Sequence, residues 1–247
     1  MRRRSARFRR PLLNAGGLVE RLLVLAAVAV VAGILLGLLL PRMSDTIGEI
    51  TGRFAVSGPA AAALEGLAVD DHPTSAGYDR DAFGYRMTDA DSDGCDVRDE
   101  VLARDLENVR YDPTDRCTVR RGTLRDPYTA ATIRFVRGPS TSSAVQIDHV
   151  VALENAWRSG ARNWGIRRRW RFGNDMRNLL AVEGEANGDK SSASAAYWLP
   201  ENRGFRCDYV ARQIAVKWEY ALTVTTPERR SMLGVLRSCP GQSLPRQ

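Results

Sequence analysis

The chain has 247 residues, 44% hydrophobic and 26% charged, an ordinary balance for a folded protein, with a formal net charge of +7. That charge does not by itself indicate a polyanion-binding domain, because residues 1–43 carry eight arginines and one acid, Glu20, and the rest of the chain is neutral. Within the neutral remainder, residues 44–118 carry −10 and residues 119–247 carry +10. A positive half suits an anionic substrate such as a phosphodiester; attraction between two halves of one fold accounts for the same numbers.

Residues 1–21 form a basic tail. Residues 22–40 are nineteen positions without a charged side chain, enough at about 1.5 Å per residue to cross a hydrocarbon core of roughly 30 Å as a transmembrane helix. The arginines before this run place the N-terminus in the cytoplasm. The expectation is a single-pass cell-membrane protein, anchored by one N-terminal helix, with residues 44–247 outside the cytoplasm. Secretion after cleavage is the alternative, but the run exceeds the usual signal-peptide core of about 7–15 residues and ends Leu40-Pro41-Arg42, with no small-residue cleavage site. Cys95, Cys117, Cys207 and Cys239 all follow the apolar run, and an even number in an exported domain reads as two disulfides. Three pairings exist. The sequential one, Cys95–Cys117 and Cys207–Cys239, is favoured because each bridge closes a modest loop; zinc finds no C-x-x-C pair.

Residues 41–76 read as a linker with an Ala-rich stretch, Ala60 to Ala63, that suits a short helix. Residues 77–239 suit one domain, and 240–247 read as a disordered tail. Val97 to Leu106 is compatible with helix or strand. Residues 118–124 and 132–136 alternate at period two around Asp126-Pro127-Tyr128, which predicts a hairpin. Val145 to Ile147 reads as a strand and Val151 to Ser159 as a helix. Tyr209 to Tyr220 reads as an amphipathic helix with Val210, Ile214, Ala215, Trp218 and Ala221 on one face. Thr226 reads as an N-cap followed by Pro227, opening a helix to about Arg237. The five tryptophans read as core residues rather than base-stacking platforms. The fold class is α+β, with short antiparallel strands and flanking helices.

One of only two histidines, His149, follows Asp148 at the end of the strand-like run Val145-Gln146-Ile147. The other, His72, falls in the linker. Imidazole takes a proton near neutral pH, and a neighbouring carboxylate can hold a metal. Further on come Asn178-Leu179-Leu180 and Asn187-Gly188-Asp189-Lys190. Strand, Asp-His, long loop, Asn-Leu-Leu, then Asn-x-x-Lys at a helix start: this order resembles the HNH endonuclease superfamily. Gly77-Tyr78-Asp79-Arg80, Gly94-Cys95-Asp96, Asp126-Pro127-Tyr128, Trp198-Leu199-Pro200 and Phe205-Arg206-Cys207 are similar to an exported bacterial branch related to the C-terminal domain of GmrSD restriction enzymes. The resemblance implies a ββα-metal core and a metal-dependent endonuclease leaving 5′-phosphate and 3′-hydroxyl ends. It implies His149 as general base, Asp148 and Asn187 as ligands of one Mg²⁺ or Mn²⁺, and Asn178 holding the two strands of the motif together. Lys190 would meet a phosphate oxygen, with Arg168 and Arg171 as further substrate contacts. The last motif position is Asn187 rather than His, which argues against zinc.

A second pattern, Asp89, Asp91, Asp93 and Glu100 around Gly94, fits the spacing of an EF-hand calcium loop. It departs at Asp96, where an apolar residue belongs, and at Cys95. The resemblance accounts for Gly94-Cys95-Asp96 without calcium. The expected partners are a nucleic acid, DNA favoured over RNA, and the membrane; no protein partner is indicated. A non-enzymatic polyanion-binding module or a calcium-stabilised interaction module are the alternatives.

Overall fold

A computed structural model of the chain describes residues 17–43, 56–85 and 89–245. Most of the basic tail, linker positions 44–55 and the last two residues lie outside the described residues. The chain divides into two units, Met1–Ala55 and Val56–Gln247. In the first, helix α1 (Leu18–Met43) contains an apolar span, Leu18–Leu39, long enough to cross a membrane, whether as a signal segment or as an anchor.

The second unit is α+β. Its helices are α2 (Pro59–Gly66), α3 (Val97–Asp105), α4 (Leu153–Arg158), α5 (Ile166–Gly173), α6 (Gly184–Lys190), α7 (Arg206–Glu219) and α8 (Thr226–Leu236). Strands β1 (Leu106–Asp112), β2 (Asp115–Arg125) and β3 (Thr132–Val136) form an antiparallel sheet in that order. Strands β4 (Val145–His149) and β5 (Leu179–Glu183) form a separate antiparallel pair. The expected hairpin is β2–β3, running from Arg121 opposite Val136 to Arg125 opposite Thr132. Asp126 builds its turn by accepting from the Thr129 amide and hydroxyl, and it also accepts from the Glu183 amide, which ties the hairpin to β5.

The ambiguous stretch Val97 to Leu106 resolves as helix up to Asp105, with a strand not expected from the sequence starting at Leu106. Asp96 caps α3 by accepting from the Asp99 amide, and the chain then turns into β1 at Leu106. Helix α8 is shifted by one residue from its expected start. Thr225, not Thr226, is the N-cap, and it forms a reciprocal capping box with Glu228. On α7 the buried face includes Val210 and Ile214, as expected, but also Lys217, while Trp218 is 52% exposed. Lys217 is tolerated inside because its ammonium bonds the Glu228 carboxylate, the Ser159 hydroxyl and the Thr223 carbonyl. Trp170 is also half exposed.

The linker reading fails for 56–76. Ala60, Ala61, Ala63 and Leu64 on α2 are buried in the cluster formed with Val210 and Ile214 of α7 and Met232 and Leu236 of α8. Val69 bridges Val224, and Asp71 accepts from the Thr226 amide and hydroxyl. A disordered tail is likewise corrected for 240–245: Gly241 donates to the Ser57 carbonyl, the Gln242 carbonyl receives the Ala60 amide, and Leu244 packs on the core. Both sequential disulfides, Cys95–Cys117 and Cys207–Cys239, are present. Because Leu64 is fully buried, Leu64→Ala is expected to cost about 2–5 kcal/mol in urea unfolding, whereas a linker residue would cost nothing measurable.

Candidate active site

β4, β5 and α6 pack together as two antiparallel strands and a helix, and Asp148, His149, Asn178, Asn187 and Lys190 lie on or beside them. Neighbouring residues on a strand point to opposite faces, so the Asp148-His149 dipeptide splits into two environments. Asp148 turns inward. Its Oδ1 accepts from Lys190 Nζ at 2.9 Å and its Oδ2 from the Tyr128 hydroxyl at 2.5 Å. Lys190 also donates to the His149 carbonyl at 2.9 Å. Burial pushes the Asp148 carboxyl up, opposed by the Lys190 charge and the Tyr128 bond. A charge this deep persists only with such partners.

His149 turns the other way. Its Nε2 lies 2.8 Å from the Gly173 carbonyl. A carbonyl oxygen only accepts, so Nε2 carries the ring proton and Nδ1 keeps the lone pair. The Tyr85 ring meets the imidazole edge-on at 5.5 Å. Burial pushes the imidazole down to about 4, outweighing the Gly173 bond, so the ring is neutral at pH 7. The position of Gly173 explains the choice of residue: a Cβ there would stand 2.4 Å from the Phe83 carbonyl.

Asn178, fully buried, clips the chain that leaves β4. Its Oδ1 accepts from the Val151 amide at 2.8 Å, its Nδ2 donates to the Val151 carbonyl at 3.1 Å, and its own carbonyl receives the Val150 amide at 2.8 Å. The start of β5 is in turn held by Arg104 of α3, which donates to the Met176 and Leu179 carbonyls, while Asp105 takes the Ala181 amide.

A cavity of about 170 Å³ opens onto His149, Asp148 and Asn187, with Tyr78, Arg80 and Glu154 also in its wall. Asn187 Nδ2 donates to Gln146 Oε1 at 2.8 Å, which leaves the Asn187 amide oxygen without a donor among the described residues. Arg80 is the residue that motif spacing missed. Its Nε donates to the Tyr85 hydroxyl at 2.6 Å, and its guanidinium lies over the Tyr85 ring at 4.8 Å. Its signal in the sequence was the phrase Gly77-Tyr78-Asp79-Arg80.

None of the three expected substrate contacts stands free at the cavity: Lys190 is buried beside it, and Arg168 and Arg171 lie on α5. Lys190 has no exposed surface and is spent on Asp148 and the His149 carbonyl, so it is not a surface phosphate contact. Arg168 donates to the Tyr220 carbonyl at 2.7 Å and stacks over Trp164 at 4.7 Å. Arg171 lines a different cleft, with Asp175 and Tyr220. Of the expected calcium ligands, Asp89, Asp91 and Asp93 have carboxylate oxygens within 4.8 Å of one another, and Glu100 is not in that group. The aspartates are exposed and accept backbone amides of their own turn. Burial, then the three neighbouring aspartates, pushes the Glu100 carboxyl up.

The mixed α+β domain brings a buried imidazole, a carboxylate and one side-chain amide to a single polar cavity, groups that can support acid-base chemistry. Residues 96–235 match the family model of the C-terminal domain of GmrSD restriction endonucleases, and the chain belongs to that family. Its function is therefore nuclease-like. An uncharacterized secreted protein of Arthroderma benhamiae is 36% identical over 182 residues, covering 73% of this chain and 84% of that protein. No solved structure matches.

Removing the Lys190 cation would leave Asp148 buried and unpaired. Lys190→Met is expected to lose about 3–5 kcal/mol of stability by urea titration, with part of the loss recovered in Asp148→Asn/Lys190→Met. A single variant as stable as the wild type would be the signature of a surface lysine.

Proposed function

We propose that this protein is an HNH-type, metal-dependent endonuclease that hydrolyses nucleic-acid phosphodiester bonds outside the cytoplasm. The observation that carries the proposal is His149: a neutral imidazole at a polar cavity, its Nε2 proton committed to Gly173 and its Nδ1 left basic. In that role His149 Nδ1 takes the proton of the attacking water. Asn178 positions the chain immediately after His149. The β4-β5-α6 order supports a ββα core.

The oxygens that Asp148 and Asn187 could offer beside the cavity fit a hard cation, Mg²⁺ or Mn²⁺, and not zinc. Asn187 offers an amide oxygen without a donor, and each Asp148 oxygen, holding one hydrogen bond, retains a lone pair. When bound, such a cation neutralises charge on the phosphate and the departing oxygen. Arg80, in the same wall, is the phosphate contact in place of Lys190, Arg168 and Arg171. A family of restriction enzymes favours DNA over RNA as substrate. Two disulfides, the N-terminal apolar helix and a relative named as secreted support export, with α1 as a single-pass anchor.

With Mg²⁺ and supercoiled plasmid, His149→Ala is expected to lower nicking by about 10²–10⁴-fold; nicking equal to wild type would remove the proposed base. Arg80→Ala is expected to lower it on the order of 10²-fold, while Arg168→Gln leaves it near wild type. The reverse order of those two variants would move the phosphate contact back to the α5 arginines.

A further inference from the structure

The outer face of the three-stranded sheet carries a charge pattern that the His149 cavity does not use. In the β2–β3 ladder Leu124 and Phe135 are buried, so Arg121, Thr123 and Arg125 on β2 and Thr132, Arg134 and Val136 on β3 face outward. On β1, Arg110 stands directly opposite Arg121, and Glu107 opposite Thr123. The face thus presents Arg110, Arg121, Arg125 and Arg134 against one acid, Glu107, whose carboxylate lies 3.4 Å from Arg125.

The other arginines of these strands, both on β2, are anchored: Arg116 to the Asp93 carbonyl and Arg120 to Asp112. Arg110, Arg121 and Arg134 have no ion-pair or side-chain hydrogen-bond partner among the described residues. Like charges directly across a strand pair destabilise the sheet. Folding therefore gives no reason for Arg110 facing Arg121, whereas a bound polyanion would.

We propose that this sheet face is a second nucleic-acid surface, which holds the phosphate backbone without reading bases; the proposal rests on the nuclease reading above. From Arg121 to Arg125 the strand advances about 13 Å, at about 3.3 Å per residue. That matches roughly four base steps of 3.4 Å. The planar guanidinium fork suits phosphate oxygens. Between the arginines stand Thr123, Thr132 and Val136, with no Leu, Phe or Trp of the kind that enters lipid. None of these arginines lines the His149 cavity, so the surface contributes binding and leaves the chemistry alone.

The test uses the full chain in detergent micelles, a labelled 30-base-pair DNA duplex, EDTA to prevent cleavage, and a KCl series. The variants are Arg110→Gln/Arg121→Gln/Arg134→Gln and, as a charge-loss control, Arg203→Gln/Arg230→Gln. The triple variant is expected to bind roughly tenfold or more weakly at low salt. Its slope of log K against log salt should fall by about 2–3, near 0.9 for each phosphate no longer neutralised. The control is expected to keep most of both. Thermal stability of the triple variant should stay level or rise, since Arg110–Arg121 repulsion is removed. Unchanged binding and slope in the triple variant, with wild type still nicking plasmid in Mg²⁺, overturns the surface and leaves the nuclease reading intact. A wild type that neither binds nor nicks the DNA overturns both. Loss of binding to phosphatidylserine-containing micelles with DNA binding intact overturns the proposal in favour of lipid headgroups.

Discussion

The buried ion pair between Lys190 and Asp148, with Tyr128 on the second carboxylate oxygen, is the constraint around which the site is arranged. A carboxylate on the inward face of a strand needs a partner with comparable burial, and none is available on β4 itself. Lys190 supplies it from the end of α6, and its second bond, to the His149 carbonyl, locks the helix against the strand end. Tyr128 supplies the other from the β2–β3 turn, where Asp126 already ties that turn to β5. One charged group therefore draws the hairpin, the strand pair and the helix into a fixed relation.

The same strand geometry gives His149 its separate environment. With Asp148 occupied on the inner face, the imidazole is free to be oriented by α5 and by Tyr85. Gly173 delivers a carbonyl that a larger residue could not bring so close, and that carbonyl selects the tautomer. Asp148 is not hydrogen-bonded to the imidazole, so the dipeptide is not a proton relay. The two residues share a backbone and sit in separate environments: one organises the core and borders the cavity, the other lines it with a neutral ring.

Much of this was legible because it is local or periodic. Alternation gave β2–β3, capping chemistry gave α8 to within a residue, and the order of Asp148-His149 and Asn178 marked β4 and β5; Asn187 and Lys190, expected to open a helix, instead close α6. What stayed hidden depends on distant partners. Lys190 looks like any helix-end lysine until Asp148, far upstream, is folded beneath it. Arg80 enters the cavity from a segment that precedes every motif residue. Helix α2 is short and Ala-rich, and only the faces of α7 and α8 make its burial worthwhile. β1 was missed because register shifts between Glu107 and Asp112 break its alternation. Segment-wide charge sums, likewise, gave no hint that arginines would gather on one sheet face.

The account turns on the protonation state of one ring, so nitrogen-15 NMR of histidine-labelled protein tests it most directly. The expected result is a His149 imidazole with its proton on Nε2 that stays neutral as the pH falls through 6, protonating only near 4. A ring carrying its proton on Nδ1 would contradict the proposed base, while one that becomes charged near its ordinary value of about 6.5 would contradict the burial of the imidazole and leave its role as base standing.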